Sequence, residues 1–262
     1  MSWEKTIGRV SFINCEPLFF GLDNSWNVLP APPSWLTGHL LRKDCILAPI
    51  PAADFAKNVD KLVLVPDLAI SSKGEVGSVL LFGKVDLKDM KSIALPSDSA
   101  TSVTLLKYLL TRNKLNPDYI EMGPDLNGML EQCDGCLLIG DRALESARDF
   151  PDLVKLDLGS EWKEVSGHPM VFGVFAARRD SEISLVKKAY SALLERLIEF
   201  ENSPSVRSDV IQLSCRKTSQ NSDRLERYFG QVINRIDAED YRGLKSFLVN
   251  ACGMESDIPM AW

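Results

Sequence analysis

Short apolar runs alternate along the chain with segments of helical periodicity. This alternation is typical of a mostly parallel sheet whose strands are joined by crossover helices, so we predict the α/β class. The apolar runs, rich in Val, Ile, Leu and Phe, predict strands at residues 7–13, 45–48, 61–65, 78–82, 92–95, 135–139 and 170–176. The helical patterns predict helices at residues 34–41, 100–112, 124–132, 141–148, 183–200, 204–213, 222–232 and 238–251.

Almost all of the strand signal lies before residue 177, and this asymmetry predicts two lobes. We expect residues 86–175 to form an inserted lobe, and residues 1–85 and 176–262 to form the other. Strands at 79–83 and 171–176 would then cross between the lobes, and two crossings make a hinge. Because the sequence has no linker rich in Gly or Ser, we expect the lobes to close on each other over a cleft.

Composition and charge exclude several classes of protein. The chain has 262 residues, 45% of them hydrophobic and 25% charged, which is ordinary for a globular protein. Its net charge of −6 and its lack of a basic block argue against a nucleic-acid partner. No apolar run reaches the roughly 18 residues that span a bilayer, and the N-terminal residues lack a signal-peptide pattern, so we predict a cytoplasmic protein without a membrane partner.

The cysteines predict neither a disulfide scaffold nor a metal site. There are six in a chain of this length, and only Cys133 and Cys136 have the spacing of a zinc or redox pair. A second CxxC pair and a closely spaced histidine pair are both missing from the sequence. We therefore interpret Cys133–Cys136 as a turn before a buried strand and predict no metal.

The segment 95–102 ends a strand at Pro96 and opens a helix with a cluster of hydroxyl residues. Free backbone N–H groups and the positive end of the helix dipole favour an anion at such a position. Ser99, Thr101 and Ser102 would add hydroxyl donors to a ligand carboxylate or phosphate. In the alternative interpretation, Asp98 or Ser99 simply caps the helix's own amides.

Two further loops are candidates for ligand contacts. The polar loop 71–78 precedes an apolar strand and permits a close approach of backbone amides to a ligand, although an ordinary exposed turn has the same pattern. Asn14 follows the first predicted strand, and ligands in open α/β sheets lie beyond the carboxyl ends of strands. Glu16 fits a solvent-facing residue before Pro17 better than it fits a catalytic base.

The remaining titratable candidates are weak. His39 fits a surface or packing role on an amphipathic helix. His168 precedes a predicted crossing strand, and a position in the cleft is one of the alternatives for it. Asp141 ends a buried strand and begins a helix, which favours a helix cap over a cleft-facing role. No nucleophile elbow or reactive cysteine motif accompanies them, so covalent hydrolysis is not supported.

The chain resembles the chorismate dehydratases of the futalosine route to menaquinone. The likeness runs in order through nearly the whole sequence. Its matching stretches are GRVSFIN (8–14), PDLAISS (66–72), GEVGSVLLF (74–82), SATSV (99–103), LIGDRAL (138–144), DLGSEW (157–162), GHP (167–169), YFG (228–230) and GL (243–244).

This resemblance implies a two-lobed fold like that of the type 2 periplasmic binding proteins, with a cleft between the lobes. It also implies a carbon–oxygen lyase that removes water from chorismate to give 3-[(1-carboxyvinyl)oxy]benzoate, without any cofactor. Asn14 would be the catalytic residue, and the family view is that the substrate's own enolpyruvyl carboxylate takes the proton. The residues assigned to substrate binding are Ser11, Ser72, Gly77, Ser78, Ser99, Ala100, Thr101, Ser102, Asp141 and His168.

One stretch departs from the family pattern. Pro49 and Pro51 stand where relatives often have small hydroxyl residues, so one substrate hydrogen bond would be absent if this loop lines the ligand. Two other functions fit the same resemblance: a cytoplasmic protein that binds a small carboxylate without catalysis, and the sister futalosine-pathway cyclase. The sequence leaves the oligomeric state open, a homo-oligomer included.

Overall fold

The computed structural model describes residues 2–262 of the chain. Its strands are β1 (Thr6–Val10), β2 (Asn27–Ala31), β3 (Ala48–Pro51), β4 (Leu62–Ser72), β5 (Val79–Gly83), β6 (Ser92–Pro96), β7 (Asp118–Met122), β8 (Gly135–Ile139), β9 (Val154–Asp157), β10 (Met170–Arg178) and β11 (Ile233–Arg235). Its α-helices are α1 (Glu16–Phe19), α2 (Pro33–Leu41), α3 (Ala52–Lys57), α4 (Ala100–Arg112), α5 (Leu126–Gln132), α6 (Gly140–Asp149), α7 (Leu158–Ser166), α8 (Ile183–Asn202), α9 (Pro204–Thr218), α10 (Ser222–Gln231) and α11 (Ala238–Asn250). The α/β class is confirmed.

The strands form two separate main sheets. One has five strands in the order β7-β6-β8-β5-β9, and the other has four in the order β11-β4-β10-β3. The parallel pair β1 and β2 continues the four-stranded sheet, because Gly8 N donates to Leu47 O at 2.8 Å and Ile46 N donates to Thr6 O at 2.9 Å. The long strands β4 and β10 lie side by side and antiparallel at the centre of this sheet.

The chain passes between the sheets twice. It leaves the four-stranded sheet after Ser72 and returns at Met170, and the whole five-stranded sheet is built from residues 79–157. Strand β5 belongs only to the five-stranded sheet, and β10 belongs only to the four-stranded one. The lobe boundaries expected from the sequence, residues 1–85 with 176–262 for one lobe and 86–175 for the other, remain a proposal.

The hydrophobic core explains why the helices lie where they do. Helix α4 buries Leu105, Leu106, Leu109 and Leu110 on one face, a spacing that matches the period of an α-helix. Trp162 of α7 is buried between Tyr108 and Phe247, and its indole N–H donates to Pro169 O at 3.0 Å. These contacts fix α4 firmly, so its first residues hold a defined position beside the gap between the sheets.

Candidate functional site

A cavity lies between the two sheets. It encloses about 540 Å³ of space free of protein atoms, its open mouth included. Its polar lining residues are Asn14, Ser78, Ser99, Thr101 and Ser102. The rest of its lining consists of Val10, Phe12, Pro33, Pro49, Ile50, Pro51, Ile70, Val76, Val79, Ile139, Gly140, Phe172, Gly173 and Val232.

The start of α4 forms one end of the cavity. Neither Ser99 nor Asp98 caps this helix: Ser99 makes no side-chain cap bond, and Asp98 instead accepts from Arg142 at 2.8 Å. The backbone N–H groups of Thr101 and Ser102 meet no acceptor within residues 2–262. The capping interpretation is therefore wrong, and this helix start presents free donors beside the cavity.

Neighbouring segments fix the α4 start in place. The Ala100 N–H donates to Ser34 Oγ at 3.2 Å, and the Ala53 N–H donates to Thr101 Oγ1 at 3.1 Å. Because the Thr101 oxygen is an acceptor in this bond, its own O–H remains available as a donor. Contacts from α2 and α3 thus hold the α4 start across the gap between the sheets.

Asn14 reaches the cavity from the opposite sheet. It lies in the single 3₁₀ turn Ile13–Cys15 after β1, and its residue is only 8% exposed. Its side-chain Oδ1 is buried and has no hydrogen-bond partner in the described chain. Because a buried amide oxygen without a partner is costly, this atom is available to a donor group on a ligand.

Ser78 lines the same cavity at the start of β5, and Tyr228 lies behind it. The Tyr228 hydroxyl donates to Ser78 Oγ at 3.1 Å, and both residues are buried. Burial raises the pKa of Tyr228 far above its usual range, so its hydroxyl stays protonated. Since Ser78 Oγ accepts this bond, its own proton is free to point elsewhere.

The cavity wall carries no charge. Its lining residues include no Asp, Glu, His, Lys, Arg, Cys or Tyr. Pro49 and Pro51 belong to this wall, so the departure seen in the sequence does face the cavity, and neither residue has a backbone N–H to offer. The donors are instead concentrated at the α4 start, Ser78 and Asn14.

The cavity brings together five of the eleven predicted site residues, namely Asn14, Ser78, Ser99, Thr101 and Ser102. Ser11 is exposed, and its N–H donates to Ala31 O at 3.1 Å. Ser72 is buried, and its Oγ donates to Gly74 O at 2.9 Å. His168 lies in the turn between α7 and β10, and its Cβ packs against Gly243.

Two amides of loop 71–78 are not free donors to a ligand. The N–H groups of Val76 and Gly77 both donate to the Asp157 carboxylate, at 3.2 Å and 2.8 Å. The same carboxylate caps α7 through Gly159 and Ser160. Burial raises the pKa of Asp157, and the N–H bonds from Ser160, Gly77 and Val76 lower it. The loop is therefore fixed by a protein acceptor, and its contribution to the cavity comes from Val76 and Ser78.

Two acidic residues differ from their sequence interpretation. Glu16 is 2% exposed and binds both Arg9 and Lys217, so the solvent-facing interpretation is wrong. Asp141 does not cap α6, whose N-cap is Ile139 without a side-chain bond. Its carboxylate instead accepts the Ile13 N–H at 3.0 Å, from the segment that carries Asn14.

Several cavity residues escaped the sequence analysis. Phe12 and Phe172 supply aromatic surface, and Tyr228 supports Ser78 from 150 positions along the chain. Phe12 and Tyr228 both lie within stretches that match the family pattern, which was the one available signal. Apolar residues and distant hydrogen-bond partners have no local signature of a site.

Two other kinds of site are absent from residues 2–262. Among residues 2–262, no group of three or more His, Cys, Asp or Glu side chains is placed to hold a metal ion. Within the same range, no helix has the length and apolar character needed to cross a bilayer. His39 binds Asp44 at 2.8 Å, away from the cavity.

Comparison with known proteins identifies relatives along nearly the whole chain. Residues 5–251 match the model of a family described as menaquinone biosynthesis. A chorismate dehydratase from Thermus thermophilus is 30% identical over an alignment of 259 residues, which covers 92% of this chain and 93% of that protein.

Solved structures with the same fold include binding proteins. AF1704 from Archaeoglobus fulgidus aligns with a TM-score of 0.74 and 20% identity, covering 95% of this chain and 97% of that one. The alkanesulfonate-binding protein SsuA from Xanthomonas axonopodis pv. citri aligns with a TM-score of 0.68 and 12% identity, covering 98% and 95% of the two chains. The CA3427 product of Candida albicans, described as having the generic periplasmic binding protein fold, also gives 0.68 at 12% identity and covers 96% and 91%. The two-lobed fold expected from the sequence is thereby confirmed.

Proposed function

Because the chain belongs to the menaquinone biosynthesis family, we propose that it is a chorismate dehydratase. In this reaction the C3–H and C4–O bonds of chorismate break, a ring double bond forms, and one water leaves. The product is 3-[(1-carboxyvinyl)oxy]benzoate, and aromatisation of the ring supplies the driving force. The atoms balance without an oxidant or a reductant.

The observation that carries this proposal is the uncharged cavity with donors at its ends. The free N–H groups of Thr101 and Ser102 are suited to one carboxylate of the substrate, because they add to the positive end of the α4 dipole. Ser78 and Asn14 are placed to bind the rest of the polar groups. The apolar wall of Pro49, Ile50 and Phe172 is suited to the ring.

The same cavity supports substrate-assisted proton transfer. No lining residue is a titratable group, so the wall itself offers no general base. The enolpyruvyl carboxylate of chorismate reaches the C3 proton through a six-membered arrangement of its own atoms. The protein then contributes by holding this conformer, for which proximity alone is worth about 7–11 kcal/mol, and by excluding water.

Asn14 is the residue that we assign to the departing hydroxyl. Its amide N–H₂ is a donor to the C4 oxygen, and its unpartnered Oδ1 is an acceptor for a hydroxyl proton. An isosteric Asn14→Asp change would place a negative charge beside a doubly negative substrate. We expect it to reduce kcat/KM by at least about 100-fold while the protein stays folded.

The test is direct conversion. Purified protein without added metal is incubated with chorismate, and new aromatic ring protons are followed by NMR, with the Asn14→Asp variant as the matched control. Product from the wild type and loss of product in the variant support the proposal. If folded wild-type protein leaves chorismate untouched, the proposal is wrong.

Two outcomes identify the other functions. Protection of the protein against heat by chorismate, without product, would assign a binding protein. Turnover of dehypoxanthine futalosine instead of chorismate would assign the sister cyclase. Both outcomes contradict the dehydratase.

A further inference from the structure

The segment that carries Asn14 is a short turn with little support of its own. The 3₁₀ turn Ile13–Cys15 has no side-chain cap from Phe12, the residue that precedes it. Its first N–H, that of Ile13, would lack an acceptor within the turn. The position of the Asn14 amide therefore depends on contacts from elsewhere in the fold.

One such contact is from Asn234, whose Nδ2–H donates to Asn14 O at 3.1 Å, and the others come from three successive residues at the start of α6. Asp141 accepts the Ile13 N–H with both carboxylate oxygens, at 3.0 and 3.3 Å. Gly140 packs directly under the Phe12 ring, because a Cβ added there would lie 2.5 Å from two ring carbons. Arg142 lies over the same ring, with its guanidinium carbon 5.6 Å from the centroid.

These residues connect both ends of the cavity. Arg142 also binds Asp98 at 2.8 Å, and Asp98 directly precedes Ser99 at the α4 start. The start of α6 thus holds the segment of Asn14 and the segment of Ser99 at once, although none of its charged atoms lines the cavity.

We propose that Asp141 is a positioning residue, which fixes Asn14 by accepting the Ile13 N–H across the gap between the sheets. This inference rests on the proposed function. Asp141 touches no part of the cavity, so it acts through the peptide that precedes Asn14. A misplacement of about 1 Å in such a group costs about 100-fold in rate.

The charge state of Asp141 supports a pH readout. Burial raises its pKa to about 6, and the Ile13 N–H opposes this shift. The charged or titratable groups that face it are Glu145 on α6, Glu16 on α1, Lys217 on α9, Cys15 in the turn and Tyr228 on α10. Protonation removes the charge that strengthens the bond to Ile13, so kcat should fall as the pH drops below about 6.

The kinetic experiment uses a double-mutant cycle. We expect Asp141→Ala to lower kcat about 100-fold with KM changed by less than about 3-fold, and to have no further effect in an Asn14→Ala background. Asp141→Asn keeps an acceptor oxygen but not the charge, so its kcat should equal that of the protonated wild type at every pH and show no decline below pH 6. Asp125→Ala removes a carboxylate at the start of another helix, because Asp125 is the N-cap of α5 and accepts the Gly128 N–H. This change should leave kcat unchanged.

Two results would overturn the proposal. One is an Asp141→Ala loss that adds fully to that of Asn14→Ala, which indicates a general structural role. The other is an unchanged kcat in Asp141→Ala.

Amide hydrogen exchange separates this proposal from the proposed function. Faster exchange of the 12–15 segment in Asp141→Ala than in Asp125→Ala is expected whatever the substrate is. If wild-type protein fails on chorismate and this exchange still rises, the dehydratase assignment fails and the anchoring of the segment stands. Unchanged exchange contradicts the anchoring itself.

Discussion

The hydroxyl of Tyr228 donates a hydrogen bond to Ser78 Oγ, 3.1 Å away, from a helix 150 residues later in the chain. Tyr228 is fully buried, and burial keeps its pKa well above the usual range, so it remains a donor throughout the working pH range. Because Ser78 Oγ accepts this bond from Tyr228, the Ser78 hydroxyl is oriented to donate its own proton into the cavity.

Removing that bond should impair catalysis more than stability. We expect Tyr228→Phe to lower kcat/KM roughly 10-fold, since the Ser78 hydroxyl loses its fixed orientation, and to lower the free energy of unfolding by only about 1 kcal/mol. Tyr190→Phe is the control, because Tyr190 binds Asp67 away from the cavity. Equal kinetics for the two variants would remove Tyr228 from the site.

The hydroxyls at the α4 start should be dispensable for folding. Ser99 and Ser102 are buried beside the cavity, and neither hydroxyl bonds another group of the chain between residues 2 and 262. The double change Ser99→Ala with Ser102→Ala should therefore leave Tm nearly constant. It should raise KM for chorismate about 10-fold or more, the worth of one hydrogen bond to a charged group.

Ser160→Ala is the matched control for that experiment. Ser160 also lies in the first turn of a helix, α7, but it is exposed and outside the cavity. The KM of the Ser160→Ala variant for chorismate should stay at the wild-type value. A Tm drop in the double variant with unchanged KM would show that the two hydroxyls serve packing only.

Gly140 and Gly253 allow strain to be separated from crowding. Both have positive φ, 61° and 68°, but a Cβ at Gly140 would strike the Phe12 ring, whereas a Cβ at Gly253 meets nothing within 4 Å. We expect Gly253→Ala to lose about 1 kcal/mol of unfolding free energy from backbone strain. Gly140→Ala should lose about 1–3 kcal/mol more and lower kcat, because Phe12 must move. Urea unfolding and kinetics measure both, and equal losses would contradict this reasoning.

Asp141 should make the folded protein less stable as the pH rises. Burial raises its pKa from 3.8 to about 6, so the native state binds this proton more tightly than the unfolded chain does. The contribution of protonated Asp141 to the free energy of unfolding is complete below pH 3.8 and is lost as the pH rises through about 6. Asp141→Asn should therefore gain stability relative to the wild type between pH 4 and 7, by about 2 kcal/mol.

An oppositely shifted carboxylate is the control for this pH series. The N–H groups of Lys91 and Ser92 lower the pKa of Asp134. Its contribution is present above pH 3.8 and is lost as the pH falls through the lowered pKa. Asp134→Asn should thus be less stable than the wild type at pH 7, and the difference should shrink in acid. Parallel pH curves for the two variants would contradict both assignments.

The strands that could be read from the sequence are those buried in the middle of a sheet. Strands β5, β8 and β10 are buried along almost their whole length and form continuous apolar runs. Strands β7 and β9 lie at the two edges of the five-stranded sheet, and most of their residues are exposed or half-buried. Strand β11 has only three residues. Edge strands without an apolar run leave no periodic signal.

The site residues likewise divide into those that the sequence could predict and those that it could not. The α4 start was visible because its hydroxyl cluster is continuous in sequence, between a strand and a helix. Asp141 at the first turn of α6 has the pattern of an ordinary cap, and only the fold shows that its bond goes to Ile13, 128 residues earlier. The Val76 and Gly77 N–H groups of loop 71–78 likewise bind a distant acceptor, Asp157. Local patterns report which groups are able to bond, and tertiary structure decides their partners.

The α4 start holds the two sheets together and also borders the cavity. Thr101 receives the Ala53 N–H, and Ala100 gives its N–H to Ser34. An anion seated at this helix start would therefore strengthen the junction that surrounds it, and by thermodynamic linkage a firmer junction would bind the anion more tightly. Anion affinity and the stability of this junction are thus thermodynamically coupled. Variants selected for heat resistance at this junction should therefore also release their product more slowly.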